Sequence, residues 1–216
     1  MQRRRERILT EARRVIAEEG FDALSTRKLA QAAGVTAPTL YNLIGNKAEI
    51  LEALEMHAAE AIEDRLHVSS DRTPLALAQS IVKESVTVFS GDEDYYRAAF
   101  VASDQLLGHS PEGTLKLDAK AVGLAKEVCQ ELVQGGALRG TLPAQDLAAQ
   151  MYRCYGGCLH DWAYGRIDLH EFARQAMRGI ALVLSADAVD TFRAQLLKLF
   201  KTLDTKYHVM EKASAT

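Results

Sequence analysis

The sequence predicts an all-α protein, with an N-terminal three-helix helix-turn-helix domain followed by a C-terminal helical bundle. Three observations carry this. Apolar residues recur at helical spacing along almost every segment and almost never alternate with period two. Only four prolines interrupt the 216 residues. Residues suited to helix ends, glycine or Ser, Thr and Asn, stand at the edges of the periodic stretches.

The first helix carries Ile8, Ala12, Val15 and Ile16 on one face and ends at Gly20, read as a left-handed C-cap, after which Phe21 and Leu24 turn back toward the core. Ser25 or Thr26 caps a second helix bearing Leu29, Ala30 and Ala33. The stretch GVTAPTLYNLIGNK, residues 34 to 47, encloses a third helix of about two turns between two glycines. So short a helix gains little from its own hydrogen bonds, because nucleation is costly, and has to be held by packing of Val35, Leu40 and Ile44. Thr36 caps it, and Pro38 is tolerated in its first turn, where N–H groups lack intrahelical partners anyway.

Asn46 caps a fourth helix running through Ile50, Leu51, Leu54, Ala58, Ala61, Ile62 and Leu66 until SSDRTP breaks it. With about 20 residues it spans about 30 Å, enough for a rigid connector. The expected division is therefore a domain over 1–46 and a second over 47–216, with helix 47–69 joining them. Further helices are expected at 74–90, 92–107, 114–136, 144–164, 168–185 and 187–204, with GHSPEGT, residues 108–114, as a loop and KASAT as a polar tail.

Composition narrows the class. With 48% hydrophobic and 25% charged residues the chain is ordinary for a folded protein with a sizeable core. No apolar run reaches the roughly 20 residues needed to span a bilayer, and MQRRRERIL has no apolar stretch behind its charges. No membrane partner is expected, and a cytoplasmic location is. The three cysteines, Cys129, Cys154 and Cys158, fit a reducing compartment better than a disulfide framework. The net charge of −3 conceals an asymmetry, because residues 1–50 hold nine Lys or Arg against six Asp or Glu. The basic surplus points to an anionic partner at that end.

The exposed side of the short helix fits such a partner. Thr36, Thr39 and Tyr41 offer hydroxyls suited to phosphate oxygens, Ala37 and Pro38 offer apolar surface suited to a thymine methyl in a major groove, and Asn42 shares their outer face. Lys47 opposes the dipole of the fourth helix and is better placed beside a phosphate. Thr26, Arg27 and Lys28 open the second helix in a similar way. Taken singly such residues are ordinary solvated positions, and their convergence on one region makes them candidates for contact with double-stranded DNA.

Residues 8–54, ILTEARRVIAEEGFDALSTRKLAQAAGVTAPTLYNLIGNKAEILEAL, resemble the DNA-binding domain of the TetR family of bacterial transcriptional regulators. The elements G-F-D-A-x-S-T-R, A-x-A-A-G-V, T-L-Y and N-K-x-E-x-L occur in order. The resemblance implies that Thr26, Arg27, Thr36, Ala37, Pro38, Thr39, Tyr41 and Lys47 line the DNA, with Tyr41 and Lys47 on its backbone. Two departures stand out. Ala37 occupies a place where a member of the family reads a base with glutamine, so readout there has to be apolar or lie elsewhere. Leu43 and Ile44 occupy places where the family usually has histidine followed by an aromatic or branched residue, which removes a phosphate contact.

The resemblance further implies a C-terminal domain for ligand binding and for dimerisation through its last long helices. The residues agree independently. In the helix at 144–164, Leu147, Met151, Cys154, Cys158 and Trp162 form one stripe and Ala148, Tyr152, Tyr155 and Leu159 another, so the helix needs partners on two sides. The helix with Ala173, Ala176, Met177, Ile180 and Leu184 is a fitting partner. Gly156 and Gly157 each cost about 1 kcal/mol against Ala in a helix interior, which close approach of another helix or a ligand explains. Candidate pocket residues are Phe89, Tyr96, Phe100, Cys129, Tyr155, Cys158 and Trp162, and their surroundings favour a mainly apolar ligand. Cys154 and Cys158, one turn apart, read as buried structural thiols rather than as a sensor.

No cofactor, metal or catalytic residue is expected: there is no Gly-rich phosphate loop, metal-ligand spacing or nucleophile motif, and the six histidines are scattered. The expected function is that of a homodimeric, sequence-specific DNA-binding regulator, a repressor released from a pseudo-palindromic operator by a small effector. The alternative is a nucleoid or division-associated DNA-binding factor of the same shape without an effector.

Overall fold

The structure, a computed structural model, describes residues 2–107 and 111–214, and the side chains of these apart from 2, 107, 111–116 and 204–214. The helices are α1 (Gln2–Glu19), α2 (Thr26–Ala32), α3 (Ala37–Leu43), α4 (Lys47–Val68), α5 (Pro74–Phe89), α6 (Glu93–Leu107), α7 (Pro111–Gln134), α8 (Ala144–Ala163), α9 (Leu169–Ser185) and α10 (Asp190–Ser214), with a 3-10 turn at Phe21–Ala23. The protein is all-α, and among the described residues the sole β-type pairing is an isolated antiparallel bridge between Leu138 and Ala188.

Contacts divide the chain into two compact units, Met1–Ile62 with Val88–Lys120, and Glu63–Thr87 with Ala121–Thr216. In the first, α1 packs on α2, α3 and α6, and Ile8, Ala12, Val15, Ile16, Leu29, Leu40, Ile50 and Leu51 are wholly or almost wholly buried. Its aromatic core is a chain of rings, Tyr95, Tyr96, Phe89 and Phe100, with successive centroids 4.9, 5.2 and 5.6 Å apart. Arg13 of α1 lies 4.5 Å from the Tyr95 ring centroid and donates to the Tyr96 hydroxyl at 2.7 Å. In the second unit α9 packs against α8 and α10. Its centre is Leu147, Met151, Trp162, Phe172, Ala176, Ile180 and Leu184.

Three local expectations change. Gly20 has positive φ but ψ 165°, so it terminates α1 outside the left-handed helical basin and feeds the 3-10 turn. Of residues 108–114, read as a loop, 108–110 lie outside the described residues and 111–114 form the start of α7, where Pro111 suits a first turn. The last helix begins at Asp190 rather than 187, because Asp187 and its neighbours are drawn into the loop after α7. Arg139 N–H donates to the Asp187 carbonyl at 2.8 Å and Val189 N–H to the Ala137 carbonyl at 2.9 Å.

Candidate nucleic-acid interface

Ser25 caps α2 by accepting a hydrogen bond from the Lys28 N–H at 3.2 Å. The helix ends at Ala33, with Gly34 at φ 61° donating to the Gln31 carbonyl and Val35 N–H donating to the Ala30 carbonyl. This pair of bonds is the Schellman closure, which requires the left-handed residue that glycine supplies. The chain thus reverses in two residues and Thr36 begins α3, its hydroxyl accepting from the Thr39 N–H at 3.3 Å.

The seven residues of α3 are amphipathic in the required sense. Leu40 is fully buried, Val35 and Ile44 are half-buried, and Thr36, Pro38, Tyr41 and Asn42 are exposed, Tyr41 by 52%. Ala37 and Thr39 are half-buried at the edge of that surface. The Thr36 and Thr39 hydroxyl oxygens lie 2.8 Å apart and share one hydrogen bond, so each stays oriented on the helix surface.

The next helix starts with a reciprocal cap. Asn46 Oδ1 accepts from the Ala48 and Glu49 N–H groups at 2.8 and 3.1 Å, and Glu49 Oε2 accepts from the Asn46 N–H at 2.8 Å. Gly45, at φ 115°, is the residue that lets the chain pass between α3 and this cap, since a Cβ there would collide with the Glu49 carboxylate. Lys47 does not extend freely from the helix start: its Nζ sits 3.9 Å above the centroid of the Phe21 ring. Thr26 is half-buried, Arg27 is exposed, and Lys28 is ion-paired with Glu19. All ten predicted contact residues therefore belong to one compact unit, on α2, α3, its cap and the first residue of α4.

A feature that sequence reading missed joins this region. Arg7 of α1 donates from Nη2 to the Gly34 carbonyl at 3.4 Å, against the turn that precedes α3. In the same unit a cavity of about 270 Å³ is lined by Arg5, Ile44, Glu49, Glu52, Glu55 and Met56, with Ala53 and Leu117. Burial pushes the Glu55 carboxyl up to about 7, with Glu52 and Asp118 adding to the rise and a hydrogen bond with Ser103 opposing it.

The predicted pocket residues separate. Phe89, Tyr96 and Phe100 belong to the aromatic core of the first unit, and Cys129, Tyr155, Cys158 and Trp162 to the second. The Tyr155 hydroxyl lies 2.9 Å from Ser85 Oγ and donates to it, while the ring stands edge-on to Phe172 at 5.3 Å. Cys129 is fully buried with its sulfur 3.5 Å from that of Met151. Cys154 and Cys158 are half-buried rather than buried, being on the flank of α8. Burial pushes the Cys129 and Cys158 thiols each up to about 11, so both are protonated at neutral pH.

The glycines of α8 behave otherwise than expected. A Cβ on Gly156 or Gly157 would meet nothing within 4 Å, so neither marks close helix approach within the chain. The close approach is at Gly179 of α9, where a Cβ would lie 2.8 Å from that of Cys154. Nothing local distinguishes Gly179 in sequence, because the collision comes from another helix.

Comparison with known proteins agrees with the geometry. Residues 8–54 match the family described as bacterial regulatory proteins, tetR family. The chain is 46% identical over 50 residues to the class D tetracycline repressor of Escherichia coli and, equally, to the class H repressor of Photobacterium damsela subsp. piscicida. Each alignment covers 23% of this chain and 23% of the relative, so the chain matches about a quarter of their length. Over most of its length the fold is similar to SmeT, the repressor of the Stenotrophomonas maltophilia multidrug efflux pump SmeDEF, with TM-score 0.63, 20% identity, and 86% of this chain and 91% of that one covered. It is also similar to the transcriptional repressor QsdR of R. erythropolis, with TM-score 0.59, 20% identity and 88% and 98% covered. A TetR-family regulator of Marinobacter aquaeolei VT8 gives TM-score 0.59 at 15% identity, with 92% and 98% covered.

Proposed function

We propose, on the premise that residues 8–54 are a domain of the TetR family of bacterial regulatory proteins, that this chain is a sequence-specific transcriptional regulator that inserts α3 into the major groove of double-stranded DNA. The observation that carries the reading is the division of labour along α3. Leu40 anchors the helix from below, while Thr36, Pro38, Tyr41 and Asn42 stand out together beside a turn and two helix N-termini. Such a helix has its rigidity supplied by the core and its outer side left for a partner. Tyr41 and Lys47 take backbone phosphates, with Lys47 leaving the face of Phe21 or bridging from it. Thr26, Arg27 and Lys28 flank the same strand, and Thr36, Ala37, Pro38, Thr39 and Asn42 face base edges. Ala37 reads by methyl contact, so the bases it faces differ from those a glutamine selects.

The functional unit is a homodimer through the C-terminal helices. Leu182 on α9 and Leu197 on α10, 54% and 43% exposed, support this, because large aliphatic side chains there need cover. Twofold pairing presents two copies of α3 to half-sites about one DNA turn apart, hence a pseudo-palindromic operator. Residues 1–46 read DNA, and 47–216 form the dimer and hold a small, mainly apolar effector, with Cys129, Tyr155, Cys158 and Trp162 of the second unit as candidate contacts. The effector acts as an inducer of release: it favours a conformation that DNA disfavours, so each weakens the other by the same factor. The location is cytoplasmic, where operator and effector meet.

The test is binding to a duplex covering the region upstream of the protein's own coding sequence. Tyr41→Ala and Lys47→Ala should each weaken binding and make its salt dependence shallower. Affinity and salt slope equal to those of the unaltered protein in both variants refute the placement of the reading helix.

A further inference from the structure

We infer that Arg13 is a positioning residue for DNA binding: from α1 it holds Tyr95 and Tyr96 of α6 and so sets the angle at which α1 presents the α2–α3 pair. The inference rests on the DNA-binding reading above and adds a residue that stands off the reading helix and touches no DNA in that reading.

Helical spacing makes Arg13 unusual on its own face. Leu9, four residues before it, and Ile16, three after, are both buried, so the position between them is one where α1 calls for an apolar side chain. Arg13 is half-buried there. Its neighbour Arg14 is exposed and paired with Glu11 at 3.1 Å and Glu18 at 2.5 Å. Arg13 has no such counter-charge: among the described residues its partners are two rings and one hydroxyl.

The guanidinium lies 4.5 Å from the Tyr95 ring centroid and 5.2 Å from that of Tyr96, and it donates to the Tyr96 hydroxyl at 2.7 Å. Both tyrosines are buried on α6, and Tyr96 in turn packs on Phe89 with ring centroids 5.2 Å apart. A planar donor that sits over two rings and points at one oxygen fixes direction as well as distance. An apolar side chain in the same place would bury no charge, so what the arginine supplies beyond it is geometry rather than stability.

That geometry reaches the reading helix through packing. α1 packs on α2 and α3 as well as on α6, and the closure at Gly34 and Val35 ties α2 to the start of α3, so the pair follows α1. α6 is itself anchored, since Ser103, about two turns beyond Tyr96, hydrogen-bonds with Glu55 of α4. In a twofold dimer both copies of α3 have to meet half-sites at a fixed spacing. A change in the angle of α1 is therefore felt at both half-sites, while the general attraction of the protein to phosphate is untouched.

The experiment compares binding of full-length protein, without effector, to the duplex covering the region upstream of its own coding sequence and to a scrambled duplex of equal length, each titrated with NaCl, together with thermal unfolding without DNA. R13M keeps an unbranched stem and removes the charge and the donors. It should bind the upstream duplex about tenfold more weakly and the scrambled duplex as the unaltered protein does. Its salt slope should be unchanged, because no phosphate contact is lost, and its thermal midpoint unchanged or higher. Y96F, which removes only the accepting hydroxyl, should lower the preference for the upstream duplex in the same direction, and R13M/Y96F should be no weaker than R13M, since both changes break one link. A full preference for the upstream duplex in R13M, or in Y96F if R13M does not fold, overturns the inference. So do additive losses in the double variant, a shallower salt slope, which makes Arg13 a phosphate contact, and a loss of affinity that tracks a lowered midpoint, which assigns it to stability. If the unaltered protein itself shows no preference for the upstream duplex, it is the sequence-specific DNA-binding reading that falls.

Discussion

Asp187 holds Thr141 twice, its carboxylate accepting from the Thr141 N–H at 3.1 Å and from the Thr141 hydroxyl, across 46 residues of chain. Gly140 and Leu142 N–H groups donate to the same carboxylate at 2.8 and 3.3 Å. The side chain is wholly buried, so it closes the α7–α8 loop onto the corner between α9 and α10. Burial opposes ionisation, and the hydrogen bonds from Thr141, Gly140 and Leu142 outweigh it, holding the carboxyl below its ordinary 3.8. A carboxyl with a depressed value stabilises the fold above the unfolded value and loses that contribution as pH falls through the folded one. Unfolding of Asp187→Asn, followed by denaturant at neutral and acid pH, should therefore show lower stability at pH 7 and a smaller loss below about 4. Asp187→Ala, which strands buried donors, should cost more than about 2 kcal/mol.

Glu55 has the opposite sign. Its carboxyl, pushed up to about 7 by burial, keeps its proton in the folded state between about 4.5 and about 7, where the unfolded chain releases it. Stability from this group is complete below 4.5 and declines as pH rises toward 7. Glu55→Gln should flatten that decline and equal or exceed the unaltered protein at about pH 8, measured by chemical denaturation across the range. A decline as steep in the variant assigns the pH dependence to another group.

Gly179→Ala separates helix propensity from packing. In a helix interior the change alone favours folding by about 1 kcal/mol. Here the new Cβ meets Cys154 at 2.8 Å, backbone-near on both helices, so a net loss of about 1–3 kcal/mol is expected. Adding Cys154→Gly should recover part of it, a coupling that a double-mutant cycle reads directly.

Leu40 and Tyr41 are adjacent and should differ by mechanism. Leu40→Ala empties a fully buried site and should cost about 2–5 kcal/mol in equilibrium unfolding. Tyr41→Ala removes an exposed ring and should change stability by less than about 0.5 kcal/mol while weakening DNA binding. A stability loss at Tyr41 as large as at Leu40 refutes its assignment to the outer face.

The sequence by itself determined what is local. Helical periodicity and the caps at Thr36 and Asn46 depend on residues within a few positions of one another and stand in the structure where they were read, and of the two caps offered for α2 the structure uses Ser25. The exposed side of α3 was legible for the same reason: Leu40 fixes which way the helix faces, and its neighbours follow from 100° per residue. Only the tertiary structure decided what depends on residues far apart. It drew Asp187 out of a helix to serve a loop 45 to 47 residues earlier, and moved the meaningful glycine from α8 to Gly179. It also stood Lys47 over Phe21, assigned the pocket aromatics to two units, and brought Arg7 against the turn before α3. Side-chain periodicity records which face of a helix is buried, but not which distant atom lies against it, and that second quantity is set by how separate helices meet.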